Sequence, residues 1–220
     1  MEDCHAEWFR IEYPQHEVWL DSFWIDKTEV TNEMYARCVV DGACEPPMST
    51  VSYTVSAYYS NPAYYDYPVI QVTWAEARAY CERVGRRLPT EAEWEKAARG
   101  MDRRRYAWGN GDPNCDLANY GGCQEDTVRV GSYMAGASPY GVLDMAGNVR
   151  EWVADRLDAG YYAVSPALRP AGPSYGVHRV DRGGAFSQIG AFMRSSFRGW
   201  NPPNNGCYDI GFRCALSQSP

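Results

Sequence analysis

The sequence predicts an α+β domain of short helices and short strands with a high loop content, and three observations carry that prediction. Three helix-start signals crowd into the first half of the chain, strand-like stretches lie on its flanks, and 20 glycines and 14 prolines are spread through the rest. The 220 residues suffice for one large core, and neither a tandem repeat nor a linker divides them, so a single domain over 1–220 is expected.

The elements follow in order. Val18 and Leu20, then Phe23 and Ile25, alternate with a break, as two strands or one bulged strand would. Thr31 is placed to cap a helix running to about Val40 and ended by Asp41-Gly42. Thr73-Trp-Ala-Glu76 is a capping box: the hydroxyl accepts one free N–H and the carboxylate reaches back to another. That helix extends to Val84 and stops at Gly85, where a left-handed residue costs little. Thr90-Glu-Ala-Glu93 repeats the device, with Gly100 as its stop. Strands are expected at Arg179–Arg182, Met193–Arg198 and Ile210–Ala215. A loop share this high needs staples, whether disulfides, metal ions or side-chain networks.

Charge narrows the function. Lys plus Arg number 21 against 28 Asp plus Glu, a net charge of −7, which excludes nucleic acid as a main partner. No run of about 18 apolar residues exists, so no membrane-spanning helix is expected. The opening Met1-Glu-Asp-Cys4 has neither the basic start nor the apolar stretch of a signal peptide. Eight cysteines stand at 4, 38, 44, 81, 115, 123, 207 and 214, with no Cys-x-x-Cys. His5, His16 and His178 are too scattered for a zinc site of ordinary spacing. The even count and the short Cys38–Cys44 loop favour disulfides, with buried free thiols in a cytosolic protein as the alternative.

Several strings then occur in a telling order: Phe23-Trp-Ile-Asp-Lys-Thr-Glu-Val-Thr-Asn32, Tyr67-Pro-Val-Ile-Gln-Val-Thr-Trp74 and Gly85-Arg-Arg-Leu-Pro-Thr-Glu-Ala-Glu-Trp94. Tyr106-Ala-Trp-Gly-Asn110, Tyr140-Gly-Val-Leu-Asp-Met-Ala-Gly-Asn-Val-Arg-Glu-Trp152, Arg182-Gly-Gly184 and Gly211-Phe-Arg-Cys214 follow. Over nearly the whole chain this resembles the formylglycine-generating enzyme (sulfatase-modifying factor) family. The resemblance implies a C-type-lectin-like fold, with short helices around a curled antiparallel sheet. The family's opening strand, ending in Met-Gly, has no counterpart before Pro14-Gln-His-Glu-Val18 and is expected to be missing.

Activity is another matter, since a fold does not fix a function. The family's enzymes oxidise a substrate cysteine with oxygen, using copper held by two cysteine thiolates five residues apart after the Arg-Gly-Gly turn. Counting from Gly183-Gly184 puts Met193 and Arg198 at those places. A thioether is one weak ligand and a guanidinium repels a cation, so no copper and no catalytic residue are expected. The iron-dependent sulfoxide synthases of the same fold need a His-x-x-x-His-x-Glu helix, which this chain lacks.

The resemblance also implies a structural calcium ion at Asp144, Gly147, Val149 and Glu151, the middle two through carbonyl oxygens, which suits the hard, flexible coordination of Ca²⁺. A second calcium site matches at Asn119 and Tyr120, with Asp126 or Glu125 as its acid; an acidic turn held by hydrogen bonds alone is the competing reading. Cys81 and Cys214 match a disulfide of the family, Cys38–Cys44 and Cys115–Cys123 are expected as local bridges, and Cys4 and Cys207 either pair or stay free. Trp94, Trp108 and Trp152 fall in family motifs and are assigned to the core. The tyrosines at 58, 59, 64, 65 and 67 either flank a ligand or lie in a solvated loop.

Residues 182–215 form the candidate ligand-binding region. Positions without evident structural duty alternate there with motif residues: Phe186, Ser187, Ile189, Phe197, Gly199, Trp200, Asn201, Asn204, Gly206, Cys207, Tyr208 and Asp209. Aromatics among small polar residues make an adaptable recognition surface. Strand alternation would put Phe197 and Gly199 on one face and Arg198 on the other, with Trp200 and Tyr208 as exposed anchors. In the same fold this stretch is the varied face of proteins made by diversity-generating retroelements, although Trp200 suits their codon scheme poorly. The reading is a noncatalytic, lectin-like ligand-binding domain shown on a cell or virion surface, its partner a protein or other surface ligand. A formylglycine-generating oxidase and an accessory or sensor domain of a larger signalling protein are the alternatives.

Overall fold

The computed structural model describes residues 8–218, so Cys4 and His5 lie outside the described residues. Each helix begins where a threonine caps it. In α1 (Asn32–Val40) the Thr31 hydroxyl accepts the Met34 N–H at 3.2 Å. Helices α2 (Trp74–Arg83) and α3 (Glu91–Arg99) open with complete capping boxes, in which Glu76 and Glu93 return bonds to the Thr73 and Thr90 N–H groups at 2.6 and 2.8 Å.

The larger sheet has the order β4-β3-β2-β5, built from β2 (Arg150–Arg156), β3 (Arg179–Arg182), β4 (Gly199–Asn201) and β5 (Ile210–Phe212). Its pairings are antiparallel except β2 with β5, which is parallel. A two-stranded ladder joins β1 (Phe23–Ile25) to β6 (Ala215–Ser217). The fold is thus α+β, with few short helices, a curled sheet and much irregular chain.

Four sequence expectations change. Val18–Leu20 is no strand; Trp19 makes a single bridge to Leu168. Met193–Arg198 is not a strand either, because the carbonyls a ladder would use are taken. The buried Arg182 guanidinium donates to the oxygens of Ser195, Ser196 and Phe197 at 2.6, 3.1 and 2.6 Å, and the ladder starts only at Gly199. Ile210–Ala215 splits into β5 and β6, since the chain crosses between sheets at Arg213-Cys214. The central strand β2 was unforeseen, because two of its buried residues, Glu151 and Asp155, are acids and break the apolar alternation.

Trp94 and Trp152 are fully buried, whereas Trp108 is half-buried and stacks on Tyr106 at 4.9 Å. The tyrosine loop is split: Tyr58, Tyr64 and Tyr67 pack with Ile70 and Val149, whereas Tyr65 is exposed. Beneath the sheet run buried ion pairs. Arg198 grips Glu91 through two 2.8 Å bonds, Arg182 reaches Glu95 at 2.7 Å, and Arg213 grips Glu151 through two 2.7 Å bonds. Disulfides join Cys38–Cys44, Cys81–Cys214 and Cys115–Cys123, and among the described residues Cys207 is the free cysteine. No helix among the described residues is long and apolar enough to cross a membrane.

Candidate functional site

The face formed by the loops around β4 and β5 is organised by a residue the sequence did not single out, Arg150 at the start of β2. Its guanidinium pairs with Asp209 at 2.6 Å and Asp181 at 3.5 Å. Burial opposes its charge, but these two carboxylates hold it protonated well above the usual guanidinium range. Asp209 in turn accepts the Ser187 hydroxyl at 3.2 Å, and Asp181 accepts the Asn201 amide at 2.8 Å. Asn205 extends the chain of contacts to Asn201 at 3.3 Å and to the Cys207 sulfur at 3.1 Å. Gly199 runs so close to the Asp181 carboxylate that any side chain there would collide with it. Five nominated positions, 187, 199, 201, 207 and 209, therefore converge on one network.

Aromatic rings flank the network. Tyr208 lies 5.3 Å from Tyr53 and 6.2 Å from Phe186, and Phe186 lies 6.2 Å from Tyr53. Ser187, Ile189, Asn204 and Tyr208 are exposed, and Trp200, Asn201, Gly206 and Cys207 are half-buried. The Cys207 thiol is pushed up by burial and by Asp209, so it is a poor nucleophile at neutral pH. Phe186, Phe197, Gly199 and Asp209 are buried and are corrected from ligand contacts to supports. Phe197 packs on Phe192 at 4.7 Å inside the cluster that also holds Met193. The alternation expected at 197–199 fails for the same reason: Phe197, Arg198 and Gly199 are all buried. Trp200, expected as an exposed anchor, is half-buried where it pairs with Val180. The sequence missed Arg150 because it lies inside a motif read only for calcium.

At the positions assigned to the copper thiolates, Met193 is buried against Gly184, and Arg198 is held by Glu91. The stretch 185–206 contains no cysteine.

Calcium can be tested against the donors. Both oxygens of Glu151 accept from Arg213, and Oε2 also accepts from Trp94 at 2.8 Å, so this carboxylate is spent on protein donors. Asp126 is likewise committed, to Ser52, Thr54 and Thr127. Glu151 and Asp126 are thus satisfied by protein donors alone. Among the buried oxygens that lack a partner in the described residues are Glu29 Oε2 and Asn119 Oδ1. Burial raises the Glu29 carboxyl well above the usual range, and the neighbouring Asp144 charge adds to the rise. Asp144 itself, at φ 58°, accepts the Gly131 N–H at 2.5 Å. Asn148 connects the region, donating to Glu29 Oε1 at 3.0 Å and to Val128 while its N–H bonds the Asn119 carbonyl.

Comparison with known proteins identifies the family. The model of the sulfatase-modifying factor enzyme 1-like domain matches residues 2–218. The chain belongs to that family. It is 37% identical over 219 residues to the serine/threonine-protein kinase pkn1 of Chlamydia caviae, covering 94% of this chain but 35% of that protein. It is 40% identical over 167 residues to the formylglycine-generating enzyme of Streptomyces coelicolor, covering 68% of this chain and 52% of the enzyme. The family domain thus spans about a third to a half of these relatives' lengths. Among solved structures, variable protein 1 of Treponema denticola superposes with a TM-score of 0.77 at 26% identity, covering 91% of this chain and 86% of the other. Enzymes, kinase-associated domains and a variable protein therefore share this domain.

Proposed function

We propose that this chain is a noncatalytic ligand-binding domain whose recognition surface is the face around Ser187, Ile189, Asn204 and Tyr208. The observation that carries the reading is the convergence of five nominated positions on the Arg150–Asp181–Asp209 network. A rigid, buried polar base beneath exposed aromatic and small polar residues is the arrangement in which surface residues vary without disturbing the fold. Likeness to a protein named as variable supports the same view. Diversification of this face by a retroelement is part of the proposal, and so is display at a cell or virion surface, which accords with three disulfides.

Absence of copper chemistry is the testable half. Purified protein supplied with copper, oxygen and a Cys-x-Pro-x-Arg peptide is expected to form no formylglycine. Turnover above the protein-free blank would return the chain to the oxidases. A second reading, an accessory domain of a longer signalling protein, is favoured by the match to pkn1 over 94% of this chain. It is compatible with ligand binding.

Calcium enters this proposal as a structural ion, held through Asp144 with the partnerless oxygens of Glu29 and Asn119 rather than through Glu151. Two adjacent buried carboxylates need either a shared proton or a cation, and a hard cation suits them. Chelator should lower the melting temperature by several degrees, and Asp144→Asn should remove that sensitivity. Identical melting curves with and without chelator, after prolonged dialysis against it, would rule the ion out.

A further inference from the structure

A cleft of about 540 Å³ opens between the segment Glu12–Leu20, helix α3 and the end of β2. None of the nominated face residues lines it. Its size suits a ligand no larger than a few dozen atoms. Asp155 lines it and is only 4% exposed. One of its oxygens, Oδ2, accepts the Glu91 N–H at 2.7 Å; Oδ1 lies against Gly172, and among the described residues it accepts no hydrogen bond and no basic side chain forms an ion pair with the group.

The other acids of the wall are already balanced. Glu91 is paired with Arg198, Glu95 with Arg99 and Arg182, and Glu12 with Arg194. Glu17 is exposed at the rim. Among the described residues Asp155 is therefore the buried acid of the lining that has no ion-pair partner. Aromatic surface also lines the cleft: His16 meets Tyr162 edge-on at 4.8 Å, and the Tyr162 ring already carries the Arg198 guanidinium at 4.0 Å. Such rings favour a cationic head over an anion.

We propose that this cleft binds a small organic cation, a primary amine or guanidine, whose charged head pairs with Asp155. The site is independent of the recognition face, so either can fail without the other. Burial, reinforced by the charge of Glu91, pushes the Asp155 carboxyl up to about 7. Glu93 acts in the same direction and Arg198 against it, Arg179 also interacts with the Asp155 charge, and His16 and Tyr162 line the same cleft. A cation holds Asp155 ionised, so binding releases a proton and strengthens as pH rises through neutrality.

Calorimetric titration with agmatine and butylamine, against butanol as the uncharged control, tests the proposal. Saturable one-to-one binding of the two cations is expected, about tenfold tighter at pH 8 than at pH 6, with about half a proton released per ligand at pH 7. Asp155→Asn, which keeps an acceptor for the Glu91 N–H, should weaken binding at least about tenfold while the protein still melts cooperatively. If that variant does not fold, proton release by the unaltered protein, read in two buffers of different ionisation enthalpy, decides the matter. No heat with either cation, equal binding of butanol, or a pH dependence that vanishes in His16→Gln would overturn the assignment.

Discussion

Glu91→Gln is expected to destabilise the fold by about 3–5 kcal/mol, a fall in melting temperature of roughly 10 °C for a domain of this size. Glu91 is 3% exposed and receives two bonds from Arg198 and a third, at 3.3 Å, from Arg182. The amide keeps the shape but leaves a fully buried Arg198 without its counter-charge. The neighbouring Asp155 offsets part of the loss, since removing the Glu91 charge lets it ionise more easily. Arg198→Met added to Glu91→Gln should recover stability, because replacing both partners of a buried pair costs less than orphaning one. A single variant as stable as the parent would show that Glu91 is not the counter-ion.

The same group gives a pH signature. Burial raises its pKa, but Arg198 and Arg182 outweigh burial, so the folded value lies below that of an ordinary glutamate. A lowered folded pKa contributes stability above the unfolded value of about 4.3, and this is lost as pH falls through the folded one. Acid sensitivity should therefore be blunted in Glu91→Gln.

Removing the Cys81–Cys214 disulfide should cost about as much. It closes a separation of 133 residues, tying α2 to the segment between β5 and β6, and both residues are fully buried. Loop-closure entropy for a ring of that size gives about 5 kcal/mol, against roughly half that for the separations of 6 and 8 residues at the other two bridges. Denaturant unfolding of the Cys81→Ala/Cys214→Ala protein measures it. A midpoint unchanged from the parent would mean that the bridge does not form.

The three helices were legible because their signals are local: a threonine, a glutamate three residues on, and a glycine at the end. The disulfides were legible through short spacing or through family resemblance. What escaped was set by long-range charge. Met193–Arg198 reads as a strand, yet Arg182 takes its carbonyls from 13 to 15 residues away. Strand β2 hides behind Glu151 and Asp155, whose partners come from α3 and from Arg213, 62 residues on. The proposed recognition face was only half legible for the same reason. Composition marked Ser187, Ile189, Asn204 and Tyr208, which are exposed, together with Phe186 and Phe197, which are core. No periodicity could reveal that Arg150 would gather Asp181 and Asp209.

The most direct measurement on the recognition face is a display selection. Ser187, Ile189, Asn204 and Tyr208 are randomised together, with Arg150, Asp181 and Asp209 kept, and the library is selected against hen lysozyme as an arbitrary folded target. A surface free of structural duty should leave most members melting within about 5 °C of the parent, since exposed substitutions cost little. It should also yield binders of micromolar Kd or better that lose affinity when the four positions revert. A library that is largely unfolded, or binders whose affinity survives that reversion, would contradict the assignment of this face.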